Sequence, residues 1–328
     1  MNCFPVITST LSPAYLAPFL DSKYETGGDA TCRLLKAGIN HTYFVEGSNG
    51  KFIFRVYSYN WRTEIEILEE IRLLDILNEN QIPVSFALAD QAGNYIQTFH
   101  APEGDRFGVM FSYATGEKIL NYPKELHQHV GSVMAQMHRI TQSVKLERVN
   151  YTPEVLLIDS LNHLQRFLEE GSDEKAWMLA TQKYLLGEFE KIKTDQIRHG
   201  VVHLDLWFDN INFNDKGEVT IFDFDFCGNG YLCQDIAYYI MQIHSTEKDE
   251  AERNAKIEAF LKGYESVIAI TDEEKRIIPM LGISLYFFYL GVQSQRYDNW
   301  SNVFLNEVYL KRYIVMLVKK YYDSNGLG

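Results

Sequence analysis

Short runs rich in β-branched and aromatic residues are concentrated before residue 114, and this concentration constrains the fold more than any other feature. Between two of them, Glu46-Gly-Ser-Asn-Gly50 has the composition of a hairpin turn. From Arg62 to Asn80 apolar residues instead recur every three or four positions, which predicts one helix. The predicted strands are residues 42–45, 51–57, 84–88, 95–99 and 107–113. The sequence therefore predicts a small antiparallel sheet lobe with one helix.

After Tyr122 the spacing and composition become mainly helical. The exception runs from Val201 to Phe226, where short strand-like pieces surround a polar cluster. The predicted helices are residues 124–141, 153–170, 173–193, 247–269, 272–295 and 302–322. We expect an α+β fold, with a sheet lobe over residues 1–112 and a larger helical lobe over residues 113–328.

The composition excludes several classes of partner. A formal charge of −13, with no Lys or Arg run longer than two residues, argues against nucleic acid. The first 20 residues lack the basic start of a signal peptide, and three prolines interrupt them. The cysteines form no CxxC pair, as expected for reduced thiols of a cytoplasmic protein. They are Cys3, Cys32, Cys227 and Cys233.

One uncharged run, Ile277 to Gln295, is the single candidate for a membrane span. It contains Pro279, Ser284 and Gly291, and its apolar part is short for a bilayer crossing. We predict a buried helix instead, and no membrane association.

The most distinctive residues lie between His203 and Asp225. Asp205 and Asn210 are five positions apart, and Asp223 follows 13 residues later behind an Asn-Asp-Lys-Gly turn. Such a turn can return the chain beside the first loop. A carboxylate that accepts a proton and two oxygen ligands for magnesium are what phosphoryl transfer requires. The alternative is a turn-rich hairpin whose Asp and Asn side chains only cap backbone groups.

The order H-x-D-x-x-x-x-N followed by D-F-x resembles the catalytic and metal loops of protein kinases. Its letters resemble still more closely the aminoglycoside phosphotransferase and choline kinase superfamily. The resemblance implies a two-lobed kinase-like fold, with Asp205 as catalytic base and Asn210 and Asp223 as magnesium ligands. It gives His203 a scaffold role in the loop. In an extended segment Asp225 would share a face with Asp223, so a shared metal role stays open.

The resemblance extends into the sheet lobe. Lys36-Ala-Gly38-Ile-Asn40 resembles the loop that covers the nucleotide, which implies a nucleotide contact at Asn40. Arg55 stands where kinases place a phosphate-binding lysine. Met110-Phe-Ser112-Tyr113 resembles the hinge whose backbone binds adenine.

The partner of Arg55 should be a glutamate on the following helix, where Glu64, Glu66, Glu69 and Glu70 compete. Glu70 lies one turn from both Ile67 and Leu74 and so borders the apolar face. We predict Glu70, with Glu66 next. Elsewhere in the helical lobe, His138 and Asp235 resemble structural residues, and Asp235 would tie its helix to the loop of Asp205.

These observations predict a kinase that uses ATP and Mg²⁺ to phosphorylate a hydroxyl of a small molecule. The acceptor could be an amino alcohol, an amino acid, a sugar or an aminoglycoside, and the branch most resembled contains homoserine-kinase-like and stress-response kinases. Two alternatives are a Ser/Thr protein kinase and a nucleotide-binding pseudokinase. Only 11 residues separate Asp223 from Asp235, where Gly228 to Gly230 would form a tight turn, so little room exists for a peptide platform.

Overall fold

The computed structural model describes residues 4–328, so Cys3 lies outside the described residues. One antiparallel sheet of six strands builds the first lobe, in the order β1-β2-β3-β6-β4, with β5 also paired to β6. The strands are β1 Thr31–Ala37, β2 His41–Gly47, β3 Gly50–Val56, β4 Ala87–Leu88, β5 Ile96–Ala101 and β6 Gly104–Ser112. The predicted hairpin pairs Gly47 with Gly50.

A helix that the sequence reasoning missed covers one face of this sheet. Helix α1, Pro13–Lys23, begins with proline at its first turn, where no N–H is needed. Its Leu16 and Leu20 pack with Tyr43 and Phe54 of the sheet. The prediction of a single helix in this lobe was therefore wrong: Pro13 is compatible with a helix start, and the helix continues past Pro18.

The helix predicted between Arg62 and Asn80 is present as α2, Glu64–Glu79. A capping box between Thr63 and Glu66 fixes its first turn. The predicted apolar face is buried, and Glu70 is fully buried beside it.

The second lobe is mainly helical and contains two short two-stranded sheets. β7 His199–Val202 pairs with β10 Gly228–Tyr231, and β8 Ile211–Phe213 pairs with β9 Val219–Ile221. Gly228 to Gly230 is thus a strand rather than the predicted tight turn. The helices are α3 Lys124–Thr141, α4 Ser160–Leu164, α5 Asp173–Phe189, α6 Cys233–Thr246, α7 Glu250–Glu265, α8 Asp272–Gln295, α9 Glu307–Tyr313 and α10 Lys320–Ser324.

Helix α8 contains the apolar run that was tested as a membrane span. Of its most apolar 18-residue window, 89% is buried inside the protein. The prediction of a buried helix is confirmed. α8 packs against α4 and α6 and forms the centre of the helical lobe.

The lobes meet through short backbone contacts beside the polar cluster. The N–H of Ser85 donates to the carbonyl of Ile221 (2.9 Å), and the N–H of Ile221 donates to the carbonyl of Pro83 (2.8 Å). These bonds place β9, and Asp223 behind it, against the sheet lobe. The predicted arrangement of a small sheet lobe and a larger helical lobe is confirmed, while the exact division at residue 112 stays a prediction.

Candidate active site

Asp235, near the start of α6, holds the backbone of the loop that carries Asp205. Its carboxylate accepts hydrogen bonds from the N–H groups of His203 (2.8 Å) and Leu204 (2.6 Å). His138 contacts the same carboxylate at 3.0 Å. Leu204 has a φ of 61°, a left-handed conformation that a branched side chain adopts only when its surroundings impose it. The predicted tie between Asp235 and the loop is confirmed.

His203 supports the loop from within. Its ring accepts a hydrogen bond at Nδ1 from the N–H of Asp205 (3.1 Å), and its Nε2 lies 3.2 Å from the carbonyl oxygen of Phe222. Burial lowers the pKa of this imidazole. A neutral ring with both nitrogens engaged agrees with the predicted scaffold role.

Three side chains converge on the carboxylate of Asp205. The amide of Asn210 donates to one oxygen (2.7 Å), and the hydroxyl of Tyr238 donates to the other (2.5 Å). The hydroxyl of Tyr289 shares its proton between this second oxygen (3.1 Å) and the carbonyl of Leu204 (2.7 Å). Burial, and then the charge of Asp223, raises the pKa of Asp205 to about 7, against the lowering effect of these three donors. A carboxyl group held in one orientation, with a raised pKa, is suited to receive a proton.

Arg55 links the sheet lobe, α2 and Asp223. One guanidinium nitrogen lies 2.8 Å from Glu70 Oε1, and another lies 2.8 Å from Asp223 Oδ1. Glu70 also accepts a hydrogen bond from the hydroxyl of Tyr57 (3.0 Å). The predicted Arg55–Glu70 pair is confirmed, whereas Glu66 is used in the cap of α2.

The two carboxylates Asp223 and Asp225 do not share a face. Asp223 has a left-handed φ of 66°, and Phe224–Phe226 forms a turn of 3₁₀ helix, so the assumption of an extended segment was wrong. Asp225 is buried and accepts hydrogen bonds from Trp61 Nε1 (2.7 Å) and Arg62 Nε (3.1 Å). Asp223 keeps 40% of its side chain exposed. Asp225 therefore ties the lobes together, and Asp223 faces the open cleft.

Two cavities meet at this cluster. The larger, of about 570 Å³, lies between the lobes, and the smaller, of about 340 Å³, lies toward α6 and α8. Arg55, Asn210 and Asp223 line both cavities, whereas Asp205 lines only the smaller one. The site can thus hold one group between the lobes and a second group beside Asp205.

Two residues predicted to contact nucleotide lie elsewhere. Ser112 uses its N–H, carbonyl and hydroxyl in bonds to Ser85 and Phe86, so it supports the cavity wall from behind. Tyr113 and the following Ala114 are the connector residues that line the larger cavity. The side chain of Asn40 accepts a hydrogen bond from the N–H of Ser58 (3.2 Å), and Asn40 lines the smaller cavity rather than the larger.

With this geometry established, the comparisons with known proteins identify the family. Residues 31–270, well over half of the chain, match the model of the phosphotransferase enzyme family. The chain belongs to this family. The predicted resemblance is confirmed, and the chain is a kinase.

Relatives of the kinase cover most of its length. An uncharacterised protein of Synechocystis is 28% identical over 95% of this chain and 86% of its own. A homoserine kinase of Sinorhizobium medicae is 27% identical over 81% of this chain and 79% of its own.

Solved structures confirm the kinase-like fold. A microcompartment-associated aminopropanol kinase has a TM-score of 0.77 at 20% identity, covering 96% of this chain and 99% of its own. Amicoumacin kinase, solved with AMP-PNP and Ca²⁺, has a TM-score of 0.76 at 20% identity and covers 96% of this chain and 94% of its own.

Sequence reasoning missed several residues of the kinase's cleft. Lys36 and Lys118 both pair with Asp209, at 3.1 Å and 2.7 Å, across the mouth of the larger cavity. Tyr238 and Tyr289 lie on the buried faces of α6 and α8, where most of their neighbours are apolar. A buried Tyr hydroxyl usually has a hydrogen-bond partner. The position of Tyr238 one turn after Asp235 was the only feature of the sequence that could have indicated a contact with the catalytic loop.

The oxygen-bearing residues of the cleft fit a magnesium ion. Asn210 directs its amide nitrogen to Asp205, which leaves the amide oxygen for another partner. Together with the exposed carboxylate of Asp223 it offers hard oxygen donors at the wall common to both cavities.

Proposed function

We propose that this kinase transfers the γ-phosphoryl group of ATP, with Mg²⁺, to the hydroxyl of a small amine-bearing alcohol. The observation that carries the proposal is the position of Asp205, buried at the smaller cavity beside the wall that Asn210 and Asp223 share with the larger one. A proton acceptor and the proposed metal ligands thereby lie between two binding spaces. That is the arrangement needed to join a nucleotide and an acceptor.

Asp205 would accept the proton of the acceptor hydroxyl as transfer proceeds. Tyr238 and Tyr289 hold one of its oxygens and Asn210 the other, so the carboxylate keeps one orientation. When bound, magnesium would offset the phosphate charge, with Asn210 and Asp223 as its ligands in this proposal. Arg55, fixed by Glu70, supplies positive charge at the same wall.

The larger cavity suits the adenosine part of ATP. Apolar side chains of Ile53 and Leu74, with the ring of Phe111, form a slot for a flat base, and Tyr113 and Ala114 present connector backbone beside it. We propose that this backbone recognises the adenine edge, in place of Ser112. The division of the chain at residues 112 and 113 would then coincide with the nucleotide cleft.

The smaller cavity has the chemistry of a site for a cation. Aromatic side chains line it, and four carboxylates border it, those of Asp205, Asp209, Asp223 and the buried Asp225. The cations among its lining residues that the structure describes, Lys36 and Arg55, are each paired with one of these carboxylates. The aromatic lining residues are Trp207, Phe226, Tyr238, Tyr286, Tyr289, Trp300 and Tyr313. An acceptor ammonium group would gain from both the rings and the carboxylates.

The charge of the smaller cavity distinguishes amino alcohols from amino acids. Homoserine and aminopropanol, which name two kinds of relative, both carry an amine and a hydroxyl. Homoserine also carries a carboxylate. Among the described residues that line the cavity, every cation is already paired with an aspartate, so none is available to bind that carboxylate. We therefore propose a preference for amino alcohols without a carboxylate.

A protein acceptor fits this cavity poorly. The segment between Asp223 and Asp235 is used by the 3₁₀ turn and by β10, so it forms no platform for a peptide. Side chains of α8 and of residues 300–317 close the cavity on its far side. A small acceptor is the better fit, and the acidic, ATP-using chain would work in the cytoplasm.

The test is acceptor-dependent ADP release by unmodified recombinant protein. The panel contains aminopropanol, ethanolamine and choline, then homoserine, a hexose, an aminoglycoside and a generic protein substrate. We expect the highest kcat/KM for an amino alcohol, lower activity with homoserine, and a requirement for Mg²⁺. Activity confined to homoserine would contradict the acceptor preference. Phosphorylation of protein substrates alone would contradict the proposed function itself.

A further inference from the structure

A third cavity, of about 780 Å³, lies on the far side of the helical lobe between α6, α7, α8 and α10. None of the residues that line it lines either cavity of the active site. Its walls carry Arg253 and three lysines, Lys248, Lys275 and Lys320. The one carboxylate among its described lining residues, Glu250, has no cation partner. Such a concentration of positive charge is unusual in a chain of formal charge −13.

Arg253 is the central feature of this cavity. Only 8% of the residue is exposed, and its Nε atom is buried without a hydrogen-bond partner. Within residues 4–328 no carboxylate forms an ion pair with Arg253, Lys248 or Lys320. A buried guanidinium N–H without a partner is costly, so folded proteins normally satisfy it. This guanidinium is therefore poised to gain a ligand.

The neighbouring groups are consistent with an anion as that ligand. Burial, and then the charges of Arg253 and Lys320, lowers the pKa of His244 to about 4, which places both cations beside one imidazole. The other lysine at this cavity, Lys275, is paired with Glu265 (2.7 Å) and contributes little net charge. Ser324, Asn325 and Asn254 add neutral hydrogen-bonding groups to the wall.

We propose that this cavity is a binding site for a small phosphate-bearing anion, held by Arg253 with Lys248 and Lys320. The planar guanidinium can bind two phosphate oxygens at once, and two flexible ammonium groups can approach from the rim. The buried position of Arg253 selects a small multivalent anion over a protein surface or a membrane. The site is separate from the proposed catalytic cleft and does not depend on the activity assigned there.

The experiment measures pyrophosphate binding by isothermal titration calorimetry, without Mg²⁺ and at constant ionic strength. We compare the wild type with Arg253→Met, which keeps the apolar length of the side chain and removes its charge. We expect Kd to rise about tenfold or more, the usual effect of losing a charge-assisted hydrogen bond. Arg55→Gln, which alters the active-site cleft, should leave the tightest binding event unchanged. Lys183→Gln, an exposed lysine of α5 that lines none of these cavities, controls for net charge.

A readout independent of binding separates a ligand-binding role from a structural one. Because Arg253 is buried without a partner, Arg253→Met should leave the stability of the ligand-free protein unchanged or increase it. If this variant does not fold, the exposed pair Lys248→Gln and Lys320→Gln gives the same test, again with about a tenfold weakening.

Equal pyrophosphate affinity in the wild type and in the Arg253 or Lys248/Lys320 variants would overturn the proposal. The proposal would also be overturned if Arg55→Gln, rather than Arg253→Met, abolished pyrophosphate binding. An equal loss of affinity in Lys183→Gln would overturn it as well. Citrate binding as tightly, with the same dependence on Arg253, would overturn the assignment to phosphate.

Discussion

Substitution of Glu70 by glutamine tests how the buried Arg55 pair supports the cleft. Glu70 is fully buried and pairs with Arg55, which keeps 8% of its side chain exposed. Glutamine keeps an acceptor for the hydroxyl of Tyr57 but removes the charge that balances the guanidinium. Loss of one partner of a buried ion pair costs about 3–5 kcal/mol, so we expect a decrease of about 3 kcal/mol in the free energy of unfolding.

The effect on nucleotide binding is separate from the effect on stability. With Glu70 neutral, Arg55 keeps only Asp223 as a charged partner and is drawn toward it, away from the phosphate position. A charge-assisted hydrogen bond contributes about 1.5–3 kcal/mol, so we expect the KM for ATP to rise about 10- to 100-fold. The KM for the acceptor should change little, because Glu70 lines only the larger cavity.

The assay combines urea denaturation with initial rates of ADP release at varied ATP. Glu64→Gln is the matched control, because Glu64 is exposed on the first turn of the same helix and the change removes the same charge. It should alter the free energy of unfolding by no more than about 0.5 kcal/mol. A large loss of stability in Glu70→Gln with an unchanged KM for ATP would refute the link between the pair and the nucleotide.

Three further substitutions test the remaining assignments. Tyr238→Phe removes a hydroxyl that holds Asp205, so it should lower kcat about tenfold and leave the KM for ATP unchanged. Tyr286→Phe, in the same cavity, should leave kcat unchanged. An equal loss of kcat in both variants would contradict the positioning role of Tyr238. Asp223→Ala should abolish Mg²⁺-dependent ATP binding in calorimetry, and Asn210→Ala should weaken that binding less severely. Intact binding in Asp223→Ala would contradict the assignment of Asp223 as a magnesium ligand. Asp225→Asn should cost about 3 kcal/mol of stability, seen in urea denaturation, because Arg62 loses its closer charged partner and keeps only Glu66, at 3.8 Å. Unchanged stability would contradict the interlobe tie.

The resemblance to kinases predicts a glutamate partner for Arg55, and local spacing then predicts Glu70 and the gathering of Asp205, Asn210 and Asp223. Helical phase places Glu70 beside the apolar face, and a turn returns Asp223 beside the loop of Asp205. Where a contact depends on the spacing of a few nearby residues, the sequence is sufficient to predict it.

The errors share a physical cause, which is pairing between segments far apart in the chain. Gly228 to Gly230 reads as a turn until β7, some 30 residues earlier, provides its strand partner. Asp225 reads as a second metal ligand until Trp61 and Arg62, in the other lobe, bury it. The backbone of Asp223 adopts a left-handed conformation that no local pattern predicts for aspartate.

The cleft residues that were missed have the same origin. Tyr238 and Tyr289 meet Asp205 only because α6 and α8 pack together. The position of Ser112 along the chain predicts a nucleotide contact, but its hydrogen bonds to Ser85 and Phe86 direct it away from the cavity. Side-chain direction at the end of a strand depends on the neighbouring segment, which the sequence of that strand does not contain.

The most direct test of the account measures phosphoryl transfer from γ-labelled ATP to an amino alcohol by the wild type and by Asp205→Asn. The substitution keeps the size and shape of the side chain and one of its two hydrogen-bond acceptors, but removes the basic carboxylate. We expect the wild type to form a labelled acceptor, and the variant to lose about 100-fold or more in kcat while binding ATP with unchanged affinity. Near wild-type turnover in Asp205→Asn would contradict the assignment of Asp205 as the base, on which the proposed function depends.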